Sequence, residues 1–251
     1  MIKPTFLQPA DDATTVARVF DTSLVVKGKS WFPANWLIVW MVMAWVAGRG
    51  HPEHSWGKRI GTGALTTIAI LGSEWCHNLA HAAAASLVGK PVDAIRIVWG
   101  MPLLVYYDIN DQTVTPRQHI LRALGGPLFN ALLFPLTLVF RRFTRPGTVA
   151  RDAANAAAGM NAFLATASLL PIPGIDGGPL LKWSLVRRGS TPRQADKRVK
   201  RVNRVTGAGL GLAAGIALKK RRRFIGAILG LFAALSWAIG FGLLKEQEAS
   251  E

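Results

Sequence analysis

Long blocks of apolar sequence that carry almost no charge constrain this chain more than any other feature. Such blocks lie at 36–47, 60–88, 120–140, 153–173, 205–218 and 224–244. Several reach the roughly 20 residues that a helix needs to cross a bilayer. A soluble core scatters its apolar residues at helical or strand spacing and does not need such blocks. The sequence therefore predicts an all-α, multi-pass integral membrane protein with five or six transmembrane helices.

The charge of the chain agrees with membrane lipids as partners and argues against nucleic acid. Its 30 Lys and Arg residues outnumber its 14 Asp and Glu residues, for a formal net charge of +16. Basic residues of membrane proteins collect in cytoplasmic loops, and basic tracts beside spans meet anionic lipid. The expected excess of basic residues in cytoplasmic loops favours five crossings, whereas hydropathy alone allows six. We expect a prokaryotic cell membrane, with the loops after the second and fourth spans on the cytoplasmic side.

Three segments follow from this pattern. Residues 1–59 form an N-terminal segment with the first transmembrane helix, and residues 60–186 form a core. Residues 187–251 form a basic amphipathic helix and a C-terminal transmembrane region. The basic helix is expected either to lie on a lipid surface or to be a solvated connector.

A small β element is predicted between the second and third spans. Residues 89–114 contain β-branched and aromatic runs broken by a Gly-Met-Pro turn, which predicts strands at 92–99 and 103–108. The tetrapeptide "TPRQ" occurs at 115–118 and again at 191–194. A Thr N-cap, a Pro at the first helical position and a Gln at the third form a capping box. Both tetrapeptides therefore predict helix starts.

Two histidines in the second apolar block are the strongest indication of chemistry. The stretch "EWCHNLAH" places His77 and His81 four residues apart, about 40° around a helix. Both imidazoles can therefore reach one ion, and ionisable groups at membrane depth usually mark function. A catalytic zinc site takes three protein ligands and leaves one position open. Asp176, in a Pro- and Gly-broken segment after the fourth span, qualifies as the third ligand.

Together these motifs resemble those of the site-2 proteases, which are intramembrane zinc metalloproteases. "HNLAH" at 77–81 is similar to the His-Glu-x-x-His motif of the family. "LLPIPGIDGGPL" at 169–180 is similar to its Asp-Gly motif, and "GGPLFN" at 125–130 looks like its Gly-Pro-x-x-Asn helix. The resemblance covers 60–186 and implies a core built from the second, third and fourth spans.

The resemblance also implies roles for single residues. It implies a Zn²⁺ cofactor bound by His77, His81 and Asp176. Substrate contact is expected at three further positions, of which the two asparagines should also join packed spans: Asn130, Asn161 and Ser168.

Two positions depart from the family pattern. Asn78 stands where the family has its general-base Glu, and Ser168 stands where it has an Asn. An amide does not accept the proton of an attacking water, and general-base assistance is worth about 10²–10⁴ in rate. Efficient peptide hydrolysis is therefore not expected. Glu74, one turn before His77 on the same face, is a candidate ligand, ligand-orienting group or substitute base, or else a packed polar residue without a role in the chemistry.

The sequence is compatible with three functions. The first is a pseudoprotease, which keeps zinc and binds transmembrane substrates or partners without efficient cleavage. The second is an active intramembrane zinc endopeptidase that uses Glu74 or zinc hydroxide in place of the missing base. The third is an ion transporter or channel that uses the His and Asp cluster.

The other histidines receive a plainer interpretation. His51 and His54 lie in a predicted loop, and His119 lies near a predicted helix start. Each is expected to be solvated or to cap a helix.

Overall fold

A computed structural model describes residues 13–244 of the chain. The helices are α1 (Ala34–Gly50), α2 (Trp56–Leu87), α3 (Pro116–Phe143), α4 (Val149–Thr166), α5 (Gly177–Arg187), α6 (Pro192–Lys219) and α7 (Arg223–Gly240). The described residues form two compact units, one of 13–107 with 124–167 and one of 108–123 with 168–244. Residues 1–12 and 245–251, which the predicted end segments include, lie outside the described residues.

The sheet in residues 13–244 has four strands where the sequence predicted two. They are β1 (Ala13–Val19), β2 (Thr22–Lys27), β3 (Ala94–Val98) and β4 (Met101–Val105), in that spatial order. The two hairpins are antiparallel, and β2 pairs with β3 in parallel. The expectation of β structure only between the second and third spans is therefore wrong, because two strands precede α1. An isolated two-stranded hairpin is only marginally stable in water. The hairpin of β1 and β2 is supported by β3, which is distant in sequence.

The turn of the second hairpin fastens the sheet to two helices. Trp99 and Gly100 have positive φ values of 52° and 85°, which suit a two-residue turn that matches the twist of the strands. The carbonyl of Gly100 accepts hydrogen bonds from the indole nitrogens of Trp36 and Trp75, at 2.9 and 3.0 Å. The sheet is thereby held against α1 and α2.

The apolar core of the sheet lies beside the C-terminal half of α2. Ala82 and Ala85 of α2 are completely buried and pack with Val92 and Ile95. Burial of such side chains stabilises the fold by roughly 25 cal/mol per Å² of apolar surface. This packing fixes the part of α2 that carries His81.

Buried polar contacts hold the second unit together. Lys182 of α5 places its Nζ 2.7 Å from the Asp196 carboxylate of α6 and 2.6 Å from Asn110 Oδ1. The ring of His119 stacks on Trp183 with 3.8 Å between centroids. His119 is only 8% exposed, so its interpretation as a solvated or capping residue is wrong. A stacking partner on a distant helix was not visible in the local sequence.

Both TPRQ tetrapeptides start helices as predicted. Gln118 Oε1 accepts from the Thr115 backbone N–H at 2.9 Å, and Thr115 Oγ1 accepts from that of Gln118 at 3.3 Å. Thr191 and Gln194 make the same pair of bonds at 3.1 and 3.2 Å. The helix after the second box, α6, runs unbroken to Lys219. The predicted surface helix and the short apolar block after it are therefore one helix.

Two helices of the described part of the chain are long and apolar enough to cross a membrane. They are α3 and α7. The first helix, α1, has 17 residues and is about 25 Å long, short of the roughly 30 Å hydrocarbon thickness. Both α2 and α4 carry charged residues in their first turns. The count of five or six crossings stays a prediction.

Candidate metal centre

His77 and His81 lie one turn apart on α2 with their rings edge to face. The ring centroids are 4.7 Å apart, and the two Nε2 atoms are 3.1 Å apart. The side chains are buried, with 5% and 2% exposed. Two nitrogen ligands of a tetrahedral zinc ion, each 2.0–2.1 Å from the metal, lie about 3.3 Å from one another. The pair therefore has the spacing of two ligands of one ion.

A buried chain of hydrogen bonds determines which nitrogen of His77 carries its proton. This series of hydrogen bonds ends at the Ala157 carbonyl, which can only accept. The Asn161 amide nitrogen must therefore face it, at 2.8 Å. The same nitrogen donates to Ser73 Oγ at 3.2 Å, and this hydroxyl donates to the Ala69 carbonyl at 2.7 Å. The orientation of the Asn161 amide follows from these acceptors.

The orientation of the Asn161 amide determines that of the Asn130 amide, which in turn determines which nitrogen of His77 is protonated. Asn161 Oδ1 accepts from Asn130 Nδ2 at 2.7 Å, so Asn130 Oδ1 must accept from His77 Nδ1, at 2.6 Å. The hydrogen of neutral His77 is therefore on Nδ1, and its Nε2 lone pair faces His81. In metal-binding histidines, the nitrogen that does not bind the metal donates its hydrogen to an acceptor, and this bond fixes the tautomer.

The two asparagines join packed helices by a hydrogen bond, as predicted. Asn130 on α3 bonds Asn161 on α4, and both side chains are completely buried. Their contact with substrate stays a prediction.

Two glycines let α3 pass directly against the imidazoles. A Cβ on Gly126 would lie 2.6 Å from His77 Cε1 and closer still to His81 Nε2. A Cβ on Gly125 would lie 2.6 Å from the Ala80 carbonyl oxygen. These approaches are shorter than van der Waals contact, so no larger residue fits unless α3 or the imidazole rings shift. The "GGPLFN" segment thereby brings Asn130, one turn later, to His77.

The fold of the chain is similar to that of a protein of known structure. The chain is similar to a site-2 protease from Methanocaldococcus jannaschii, with a TM-score of 0.52 and 13% identity, over 95% of this chain and 98% of that one. The chain has a site-2 protease-like fold. No protein-family model matches it, and no curated protein matches it in sequence. The resemblance drawn from the motifs is thus confirmed at the level of the fold, which, with α3 and α7, suggests a membrane protein.

Within the site-2 protease-like fold, Asn78 holds Glu74. Asn78 Nδ2 donates to the Glu74 backbone carbonyl at 2.9 Å and to the Glu74 carboxylate at 3.2 Å. Asn78 is 8% exposed, and Glu74 is half-buried. The amide therefore acts as a donor at the position where the family motif has a proton acceptor. The assignment of Asn78 as a replaced base stays an interpretation of the motif.

Ser168 and Asp176 belong to the second unit. Ser168 is buried in a 3₁₀ helix, Ala167–Leu169. Asp176 is half-buried and precedes α5 with helical angles, φ −54° and ψ −35°. A Cβ on Gly178 would lie 2.6 Å from the Ile172 carbonyl oxygen. Glycine after Asp176 therefore allows the proline-rich turn to fold back against the start of α5.

A second group of side chains that could hold a metal ion lies in the loop between α1 and α2. His51, Glu53 and His54 each offer one ligand atom, and these atoms lie within 4.8 Å of one another. His54 is only 9% exposed and its ring stacks on that of His51, with 4.5 Å between centroids. The interpretation of His54 as solvated or capping is therefore wrong. The signal for this group was "HPEH" at 51–54, a His-x-x-His spacing with a Glu inside it.

The carboxylate of Glu53 is favoured in its charged form. A backbone hydrogen bond at Glu53 itself lowers its pKa from the ordinary value, and a hydrogen bond with His51 lowers it further. A hydrogen bond to the charged form of a carboxyl group favours that form.

Proposed function

We propose that this chain is a membrane-embedded, site-2-protease-like protein that binds Zn²⁺ and has lost most of its peptidase activity. The proposed ligands are His77, His81 and Asp176. The observation that carries the proposal is the buried histidine pair, 3.1 Å apart, with His77 held in the tautomer whose Nε2 is unprotonated. The site-2 protease fold of a protein that aligns over nearly the whole chain supports it.

The chain's own residues supply the orientation of the site but lack a proton acceptor at position 78, where the family motif has its general base. A zinc ion held by two imidazoles and a carboxylate supplies Lewis-acid activation of water. Asn130 holds His77 in place, and Gly126 leaves room for both rings. The Asn78 amide donates to Glu74 and has no basic atom to take up a proton. Without a general base the rate falls by about 10²–10⁴.

Loss of hydrolysis leaves recognition of transmembrane segments as the function. The partners would be apolar helices of other membrane proteins, met within a multi-pass fold whose site faces the cytoplasm. An apolar stripe on α3 offers a surface for such a partner, because Leu132, Leu136 and Phe140 follow one another at helical spacing and are exposed. A large exposed apolar face marks contact with lipid or with another apolar surface.

Metal analysis of the purified protein tests the proposal. We expect His81→Ala and Asp176→Ala each to lower the zinc content by one ion per chain, because each removes one of three ligands. Cys76→Ser is the control, since Cys76 is an exposed thiol one residue from His77. Zinc content that is the same in wild type and His81→Ala would reject the proposed centre. Loss with His81→Ala but not with Asp176→Ala would reject the third ligand alone.

Asn130 is expected to set the affinity for zinc without touching the ion. In Asn130→Ala the acceptor that fixes the His77 Nδ1 hydrogen is lost, and removal of such a partner typically weakens metal binding by about 10–100-fold. Asn155→Ala is the control, because Asn155 is exposed and bonds Arg141 instead. Zinc titration against a competing chelator measures both affinities. Equal affinity in the two variants would contradict a positioning role for Asn130.

A further inference from the structure

We propose that the loop between α1 and α2 forms a second metal site, for a divalent first-row transition-metal ion such as Zn²⁺. Its ligands are His51, Glu53 and His54, whose ligand atoms lie within 4.8 Å of one another. Two imidazoles and one carboxylate are a ligand set that zinc takes in proteins, with a fourth position left to water. The site is separate in sequence from the centre on α2, and the proposal does not depend on that centre.

The distances in the loop fit a single ion. Glu53 Oε1 is 3.3 Å from His51 Nδ1 and 3.5 Å from His54 Nε2. Adjacent ligands of a tetrahedral zinc ion are about 3.3 Å apart. The carboxylate oxygen is at this spacing from both imidazole nitrogens. The two rings are stacked with 13° between their planes, so one ring must turn for both lone pairs to point at one ion.

Asp152 stands at the second nitrogen of His51. Its Oδ2 is 3.5 Å from His51 Nε2, while the Nδ1 of the same ring faces Glu53. Metal-bound imidazoles usually donate their other N–H to a carboxylate or carbonyl, which fixes the ring. Asp152 lies in the first turn of α4. An ion in the loop would therefore tie the α1–α2 connection to α4.

Lys58 competes with the ion for His54. Its Nζ is 2.8 Å from His54 Nε2, the nitrogen that also faces Glu53. The lone pair of this nitrogen can be shared with an ammonium hydrogen or with a metal ion, but not with both. Metal binding therefore displaces Lys58, and removal of its charge should tighten binding. A loop whose histidines served only for packing would show no such gain.

Cobalt and zinc titrations of the full chain in detergent test this site. We expect two Co²⁺ ions in the wild type, one in Glu53→Gln, one in His81→Ala and none in the double variant. Glu53 is 65% exposed on its side chain, so Glu53→Gln should leave the fold intact. Asp152→Asn should weaken binding at the loop by about 10–100-fold, and Lys58→Met should strengthen it.

The titration separates failure of this site from failure of the centre on α2. If Glu53→Gln binds as many ions as wild type, the loop site is overturned, whatever His81→Ala does. If only His81→Ala has no effect, the loop site stands and the proposed zinc centre on α2 falls. In the His81→Ala background, Zn²⁺ should raise the thermal unfolding midpoint, because the ion binds the folded chain. The same protein with Glu53→Gln added should show no rise.

Discussion

The double variant Glu74→Gln/Asn78→Glu is expected to cleave a transmembrane test substrate about 10²–10⁴ times faster than the wild type. A Glu at position 78 supplies the proton acceptor that the histidine motif lacks. The change at position 74 is needed as well, because the Asn78 amide donates to the Glu74 carboxylate at 3.2 Å. A Glu at 78 would otherwise face a second carboxylate, and two such groups at close range do not both ionise readily. A Gln at 74 restores a donor.

Four proteins in proteoliposomes make this test decisive: wild type, both single variants and the double variant. Asn78→Glu alone should gain less than the double variant, because of the carboxylate at position 74. Comparable cleavage by the wild type and the double variant would contradict impaired catalysis. If the wild type cleaves and Glu74→Gln abolishes the cleavage, Glu74 is the base and the active-protease hypothesis replaces the pseudoprotease. Product formation sensitive to a chelator is the measurement.

Gly126→Ala is expected to abolish zinc binding at the proposed centre on α2 and to destabilise the protein. The new Cβ would lie 2.6 and 2.7 Å from Cε1 and Nδ1 of His77 and still closer to His81 Nε2. Overpacking of a buried site typically costs about 1–3 kcal/mol. Because the atoms that must move belong to the two ligand rings, their 3.1 Å spacing should be lost. Zinc content and the thermal unfolding midpoint measure the two effects.

Gly159→Ala is the matched control for this substitution. Gly159 lies in α4 of the same unit, is exposed, and has no atom within 4 Å of an added Cβ. An Ala in a helix interior is favoured over Gly by roughly 0.5–1 kcal/mol, so this variant should keep its zinc and be at least as stable as the wild type. Full zinc content in Gly126→Ala would show that α3 can move away from the rings.

Features encoded by near neighbours in the chain were predictable from the sequence. The capping boxes at Thr115 and Thr191 formed as expected, because their partners lie three residues away. His77 and His81 face each other because four residues make about one helical turn. The largely helical fold and its likeness to a site-2 protease likewise followed from apolar blocks and local motifs. The bond between Asn78 and Glu74 spans four residues and could have been predicted in the same way.

Features that depend on distant segments were decided only by the tertiary structure. The hairpin before α1 is stabilised by parallel pairing of β2 with β3, about 70 residues later. His119 is buried by stacking on Trp183, a partner that no local pattern identifies. The tautomer of His77 follows from an amide on α3, a second amide on α4 and backbone carbonyls that only accept. The sequence alone determined which residues have the chemistry to bind a metal. The packing of separate helices decided which nitrogen of His77 is free to bind a metal. The reason is that the groups at the end of a series of hydrogen bonds determine the direction of every bond in it.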